Sequence, residues 1–299
     1  ISNVSIYFCV FNGSEVFQMS GSTHVVQLFL SQFYSGNTYY DLSIEVTLDS
    51  TIVSDNAPFT VLRTSLLQPA SNLVIFGDSL SDMGNGNASP IVSTVFSSPP
   101  YWSGRFSNGP VWIEHVSDSY NLNTTFGDGI SPGDNRAFGG SQTGQGYSYL
   151  TLPNTGSQIN NYLANVQSSF SSNDVVFLWA GGNDFLYGTG NPDLISQNMA
   201  SHIRALELAG ASRFVVANLP PLELTPEGAS RTSQQQATMA SDVITYNSKL
   251  AQEVNNLSST LNLDITLIDA WTIFHQIVNN ADHVGITNTY DQACSGGAT

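Results

Sequence analysis

The amino-acid sequence predicts an α/β domain on a parallel sheet over residues 71–299, behind a small β-rich, sandwich-like domain over residues 1–70. Three observations lead there. Four short apolar runs lie beyond residue 70, and three of them stop at Gly or Pro turns. Stretches of helical periodicity separate the later runs. The first 70 residues show neither feature and read instead as short β-branched and aromatic runs between turn residues.

In that first segment Val25–Leu30, Tyr39–Leu48 and Phe59–Leu62 are separated by Gly, Asn, Ser and Pro. Within Leu42-Ser43-Ile44-Glu45-Val46-Thr47-Leu48 the apolar residues alternate strictly, as in a half-buried strand. The boundary falls at Gln68-Pro69-Ala70-Ser71. Beyond it, Leu73-Val74-Ile75-Phe76 runs into Gly77, and Asp174–Trp179 ends at Gly181-Gly182. Arg213–Asn218 ends at Pro220-Pro221, and Ile265–Asp269 is the last strand. Ile195, Met199, Ile203 and Leu206 occupy one face of a helix. Met239, Val243, Tyr246, Leu250, Val254, Leu257 and Leu261 continue that spacing over a second, longer one. Strands alternating with amphipathic helices imply a parallel sheet covered on both faces. In such sheets ligands bind at the carboxyl ends of the strands.

Composition narrows the function. The 299 residues are 41% hydrophobic, enough for a sizeable core, and only 10% charged. Seven Lys and Arg against 23 Asp and Glu give a net charge of −16. A chain this poor in cations cannot line a phosphate backbone, so nucleic acid is excluded as a partner, and attraction to anionic lipid head groups is disfavoured. Apolar contact with a lipid substrate needs no positive charge. No apolar run reaches the ~18–20 residues of a transmembrane segment. The start, Ile1-Ser2-Asn3-Val4, has no basic segment before an apolar stretch, and is what a removed signal peptide would leave. The polar, lysine-poor composition predicts a secreted protein. No C-x-x-C and no His/Cys cluster at ligand spacing occurs, so neither a metal site nor a cofactor is expected.

The richest segment for chemistry is Phe76-Gly77-Asp78-Ser79-Leu80-Ser81-Asp82-Met83-Gly84-Asn85. A buried strand stops at a Gly and presents Ser79, where a helix is expected to begin and its unpaired N–H groups would favour negative charge. Asp78 and Ser79 are equally good as plain helix caps. Asn135-Arg136-Ala137-Phe138-Gly139-Gly140-Ser141 is a Gly-rich loop able to bring a backbone N–H to a ligand, and Asn183 in Gly181-Gly182-Asn183-Asp184 offers a side-chain amide. Together they supply the parts for acyl transfer: Ser79 as nucleophile, with an oxyanion hole from Ser79, Gly140 and Asn183.

These ordered blocks resemble the GDSL or SGNH hydrolases, through the nucleophile block at Ser79, the glycine at Gly140 and the Gly-Asn-Asp block at Asn183. Ser98-Pro99-Pro100-Tyr101-Trp102-Ser103-Gly104-Arg105-Phe106-Ser107-Asn108-Gly109-Pro110-Val111-Trp112 is similar to a loop of the secreted bacterial branch, which includes glycerophospholipid:cholesterol acyltransferases and thermolabile haemolysins. The resemblance runs from about Leu73 to Gly297. It implies the three-layer SGNH-hydrolase domain and a phospholipase A or lysophospholipase activity on phospholipid or lysophospholipid, with a sterol as a further acyl acceptor. The alternatives on the same fold are a carbohydrate esterase and a binding or adhesive protein that has lost catalysis.

A serine nucleophile needs a base. The family's late Asp-x-x-His block does not occur in these residues. His24 lies in the N-terminal segment, His115 and His202 fall in helical patterns, His275 follows Trp271 on a helix, and Asp282-His283 has the wrong spacing. Cys9 and Cys294 either pair with each other or have each lost a partner. The resemblance of Tyr290-Asp291-Gln292-Ala293-Cys294-Ser295-Gly296-Gly297 to the start of a disulfide-bonded loop implies that the base lies in a stretch after Thr299, either truncated from this chain or on a cleaved C-terminal fragment linked through Cys294.

Overall fold

The computed structural model describes residues 70, 72–88, 101–119, 134–165, 170–281 and 289, with the backbone of four short strands nearer the N-terminus. Those strands form two antiparallel pairs, β1 (Val26–Leu28) with β4 (Val46–Leu48), and β2 (Tyr34–Ser35) with β3 (Thr38–Tyr39). The rest of the sandwich-like domain expected over 1–70 lies outside the described residues. So do His24, His283, both cysteines and the 290–297 loop, apart from Thr289 just before it.

The main sheet is parallel, in the order β5 (Asn72–Gly77), β6 (Asp174–Trp179), β7 (Arg213–Ala217) and β8 (Asp264–Ile268). A fifth segment, invisible to the strand reading, runs parallel along the outer edge of β5. Ile75 N–H donates to the Asp134 carbonyl, Arg136 N–H to Ile75 and Phe138 N–H to Gly77. β5 is therefore an interior strand, and its two neighbours come later in the chain on opposite sides. That is a topological switch point, where ligands of open α/β sheets bind in the crevice outside the carboxyl ends of the strands.

Seven helices flank the sheet in the described residues: α1 (Trp112–Ser119), α2 (Thr155–Asn165), α3 (Gly182–Tyr187), α4 (Pro192–Leu208), α5 (Pro226–Ala229), α6 (Ser233–Leu261) and α7 (Ala270–Asn279). Because strand side chains alternate, β5 and β6 send Leu73, Ile75, Val175, Phe177 and Trp179 to one face, against Trp112, Ile113 and Val116 of α1 and Phe274 and Ile277 of α7. Val74, Phe76, Val176 and Leu178 point to the other, against α2, α4 and α6. The result is a helix–sheet–helix sandwich with both strand faces buried. The long helix begins at Ser233, six residues before the first apolar position of its stripe. A capping box sets that start: Thr232 Oγ1 accepts from Gln235 N–H, while Gln235 Oε1 accepts from Thr232 N–H. It ends at Asn262, whose left-handed φ of 54° is tolerated by its side chain. No helix among the described residues is long and apolar enough to cross a membrane.

Candidate active site

The site is assembled from three turns at one end of the sheet: the exit of β5, the edge segment's Gly139-Gly140, and the start of α3 after β6. Gly77 closes β5 because nothing larger fits. A Cβ there would stand 2.3 Å from the Trp179 carbonyl oxygen on the neighbouring strand. The chain then turns sharply. The helix expected to begin at Ser79 is not formed; residues 78–84 are turn and bend, followed by a 3-10 turn at Asn85–Ala88. The cause is local. Asp78 Oδ1 accepts from Leu80 N–H, and Asp82 accepts from Gly84 N–H at 2.8 Å and Gly86 N–H at 3.2 Å. Asp82 thus takes donors that a continuing helix would give to its own carbonyls, whereas the Asp78 bond to Leu80 N–H is one that a helix cap also makes. Ser79 therefore does not open a helix of its own, and the N–H groups of its own segment are those of a turn.

Asp82 also reaches across to the second turn, where its Oδ2 accepts from Gly139 N–H at 2.9 Å. Gly140 follows at φ +73°, a left-handed conformation that a β-carbon would strain. Phe106 packs so tightly on Gly139 that a Cβ there would sit 2.0 Å from its ring. The loop holding Phe106 is closed by Arg105, whose guanidinium pairs with Glu114 at the start of α1. Trp112 of α1 donates its indole N–H to Ser81 Oγ at 3.2 Å, joining the core to the turn that holds Ser79.

Asn183 sits in the first turn of α3. Its Nδ2 donates to the Ser141 carbonyl at 3.0 Å, beside Gly140. The next residue, Asp184, accepts from Thr143 N–H at 2.9 Å and Thr143 Oγ1 at 2.7 Å, so α3 and the 139–143 loop are locked together. Among the described residues, neither Ser79 N–H nor Gly140 N–H finds an acceptor in the fold.

Ser79 and Asn183 line one small open pocket of about 50 Å³. Leu80, Leu186, Leu219, Pro220, Leu222 and Pro226 make its wall largely apolar. Gly140 is not among the lining residues; it joins the group through Asp82 and Ser141. The apolar wall was missed by reading motifs, although Leu219-Pro220 directly after a strand places it at the right end of the sheet.

Three buried carboxyls, Asp78, Asp82 and Asp184, lie on the turns that form the site. Burial pushes Asp78 up to about 7, with the nearby Asp184 and Asp82 charges adding to the shift and the Leu80 N–H opposing it. Burial likewise raises Asp82 to about 6 against the N–H groups of Gly139, Gly84 and Gly86, and Asp184 to about 6 against its Thr143 bonds. No histidine among the described residues is hydrogen-bonded to Ser79. His202 on α4 bonds the Thr143 carbonyl through Nε2 at 2.7 Å, and burial lowers its pKa. His115 on α1 is also shifted down by burial, and His275 on α7 stacks edge-on against Trp271.

Ser79 at the exit of β5 and the Asn183 amide thus share one largely apolar pocket, with the positive-φ Gly140 in the adjoining loop. The chain belongs to the GDSL-like lipase/acylhydrolase family, which matches residues 73–292. It is 30% identical over 233 residues to the phosphatidylcholine-sterol acyltransferase of Aeromonas hydrophila, covering 76% of this chain and 66% of that protein. It is 30% identical over 227 residues to the thermolabile hemolysin of Vibrio parahaemolyticus, covering 74% of this chain and 50% of that one. A GDSL esterase/lipase of Arabidopsis thaliana is 25% identical over 308 residues, covering 86% of this chain and 84% of that protein. The chain therefore spans just under two thirds and half the length of the two bacterial relatives.

Proposed function

We propose that this protein is a secreted lipid-ester hydrolase that works through an acyl-enzyme on Ser79, with phospholipid or lysophospholipid as substrate. The observation that carries the reading is the shared pocket: Ser79 and Asn183 face one cavity whose wall is apolar, the environment an acyl chain prefers over water. Ser79 Oγ attacks the ester carbonyl carbon and gives its proton to a base. The alcohol then leaves with a proton, and water or a second alcohol takes the acyl group. The oxyanion formed at each step is held by the N–H groups of Ser79 and Gly140 and by the Asn183 amide. One N–H of that amide is committed to the Ser141 carbonyl, which aims the other.

The base comes from outside the described residues, since none of the three described histidines is hydrogen-bonded to Ser79. Secretion is supported by the acidic, lysine-poor composition. Transfer to a sterol takes its support from the relative named as a phosphatidylcholine-sterol acyltransferase. The test is release of fatty acid from phosphatidylcholine vesicles by the full-length protein and by Ser79→Ala, alongside fluorophosphonate labelling. The expected result is labelling and hydrolysis by the parent and neither by the variant, with an unchanged fold. Near-parental turnover in Ser79→Ala would overturn the nucleophile assignment. Turnover of acetylated sugars with none of lipid esters would replace the substrate class.

A further inference from the structure

We infer that Gln158, on α2, is a positioning residue for this site: its amide fixes the oxyanion turn against the nucleophile strand. The inference rests on the proposed roles of Ser79 and Gly140, and adds a residue that none of the site motifs contains.

Gln158 is only 2% exposed. A buried primary amide is costly unless its donors and acceptor are satisfied. Here Oε1 accepts from Gly77 N–H at 3.0 Å, and Nε2 faces the Gly77 carbonyl at 2.8 Å, Ser141 Oγ at 2.9 Å and the Pro153 carbonyl at 3.0 Å. The two bonds to Gly77 copy what a neighbouring strand would supply. The side chain therefore holds the last residue of β5, two positions before Ser79. The third bond goes to Ser141, one position after Gly140. One planar group thus touches both turns whose relative position decides whether the Ser79 and Gly140 N–H groups converge.

Other bonds do not make this redundant. The last backbone bond between β5 and the edge segment runs from Phe138 N–H to the Gly77 carbonyl at 3.2 Å. Beyond that rung the two chains part, and among the described residues only side chains tie them. Asp82 holds Gly139, before Gly140, and Gln158 holds Ser141, after it. Ser141 is also where Asn183 attaches, its carbonyl accepting from the Asn183 amide while its hydroxyl meets Gln158. A shift of Ser141 consequently moves two oxyanion donors at once.

A space-filling role and a positioning role predict different results. Gln158→Met keeps length and volume but removes every polar contact. Gln158→Glu keeps the acceptor for Gly77 N–H, yet when ionised it opposes the Gly77 and Pro153 carbonyls; protonated, it regains a donor. The experiment measures kcat and KM of the full-length protein on p-nitrophenyl butyrate from pH 6 to 8. Competent sites are counted by fluorophosphonate titration, and the thermal midpoint is recorded separately. For Gln158→Met we expect kcat per titrated site to fall about 10- to 100-fold with KM changed less than about threefold, the scale of loss when reacting groups are misplaced by about an ångström. For Gln158→Glu the ratio of variant to parent kcat should rise as pH falls. If Gln158→Met does not fold, Ser141→Ala removes the link to the oxyanion turn, together with the Ser141 Oγ contact to Thr155 Oγ1 at 3.1 Å, and should show the same kcat-selective loss, whereas Thr155→Val, which removes the Thr155 contact alone, should not. Parental kcat per titrated site in a folded Gln158→Met, or in Ser141→Ala, would overturn the inference, as would a loss confined to KM. A parent that neither labels nor hydrolyses the ester would fail at the first measurement; that outcome strikes the proposed function itself, and this inference with it.

Discussion

Asp82 is the carboxylate on which the architecture of the site leans most, and its removal has a calculable cost. It accepts from three backbone N–H groups, two of them buried: Gly84 at 2.8 Å, part-buried, and Gly139 at 2.9 Å and Gly86 at 3.2 Å. Hydrogen bonds to a charged group contribute about 1.5–3 kcal/mol each, and burying the carboxylate takes back several kcal/mol. Asp82→Ala leaves three donors facing a small gap that water fills in part. Each unsatisfied donor costs about 1–3 kcal/mol, so a net destabilisation of about 3–5 kcal/mol is expected. For a domain of this size, that lowers the thermal midpoint by on the order of 10 °C. Asp82→Asn should cost less, about 1–2 kcal/mol, because its one oxygen can stay with Gly139 and Gly86 while the amide faces Gly84. The assay is urea denaturation at pH 8, above the value of about 6 to which burial raises Asp82, so that the parent carboxyl is ionised. A loss below about 1 kcal/mol for Asp82→Ala would refute the claim that this side chain joins the two turns. Equal losses for Ala and Asn would refute the division of labour between its oxygens.

Two further outcomes follow from the same geometry. Asn183→Ala should lower kcat by about 10²–10³ with a smaller effect on KM, the usual result of deleting one oxyanion donor; steady-state kinetics on a soluble ester checks it, and a change in KM alone would reduce Asn183 to a turn residue. Asp78, raised by burial from 3.8 to about 7, keeps a proton in the folded protein that the unfolded chain releases between about pH 4 and 7. Its contribution to stability is therefore full below pH 4 and is lost as pH rises through about 7, with a slope of up to about 1.4 kcal/mol per pH unit. In Asp78→Asn this component disappears, so the stability of parent minus variant should decline across that window, and a flat difference would refute it.

How far the sequence reaches is clearest at β5 and the residues after it. The apolar run Leu73–Phe76 and its stop at Gly77 were readable because a strand buried on both faces must be continuously apolar, and a close crossing by Trp179 demands glycine. The helical stripes of α4 and α6 were readable for the same kind of reason: period and burial are local properties. Ser79, Gly140 and Asn183 stood out as residue types suited to a turn and to acyl transfer. The sequence could not show that Ser79 is followed by a carboxylate-stapled turn instead of a helix. The bonds of Asp82 to Gly84 and Gly86 are local, but its bond to Gly139 exists only once the chain has folded back on itself, and that bond holds the carboxylate in the turn.

What the sequence by itself determined is therefore the alternation of strands and helices, the two-sided burial of the sheet and the identity of the candidate nucleophile. The tertiary structure alone decided which turns meet. The segment 134–138 carries no strand signal, yet it pairs along β5 and makes that strand interior, and this creates the switch point beside Ser79. Gln158 reads as an ordinary polar residue of a helix until the fold buries it against Gly77 and Ser141, 81 and 17 positions away. The physical reason is that periodicity and turn preference follow from neighbours along the chain. A buried hydrogen-bond partner is fixed instead by which distant groups would otherwise be left unsatisfied.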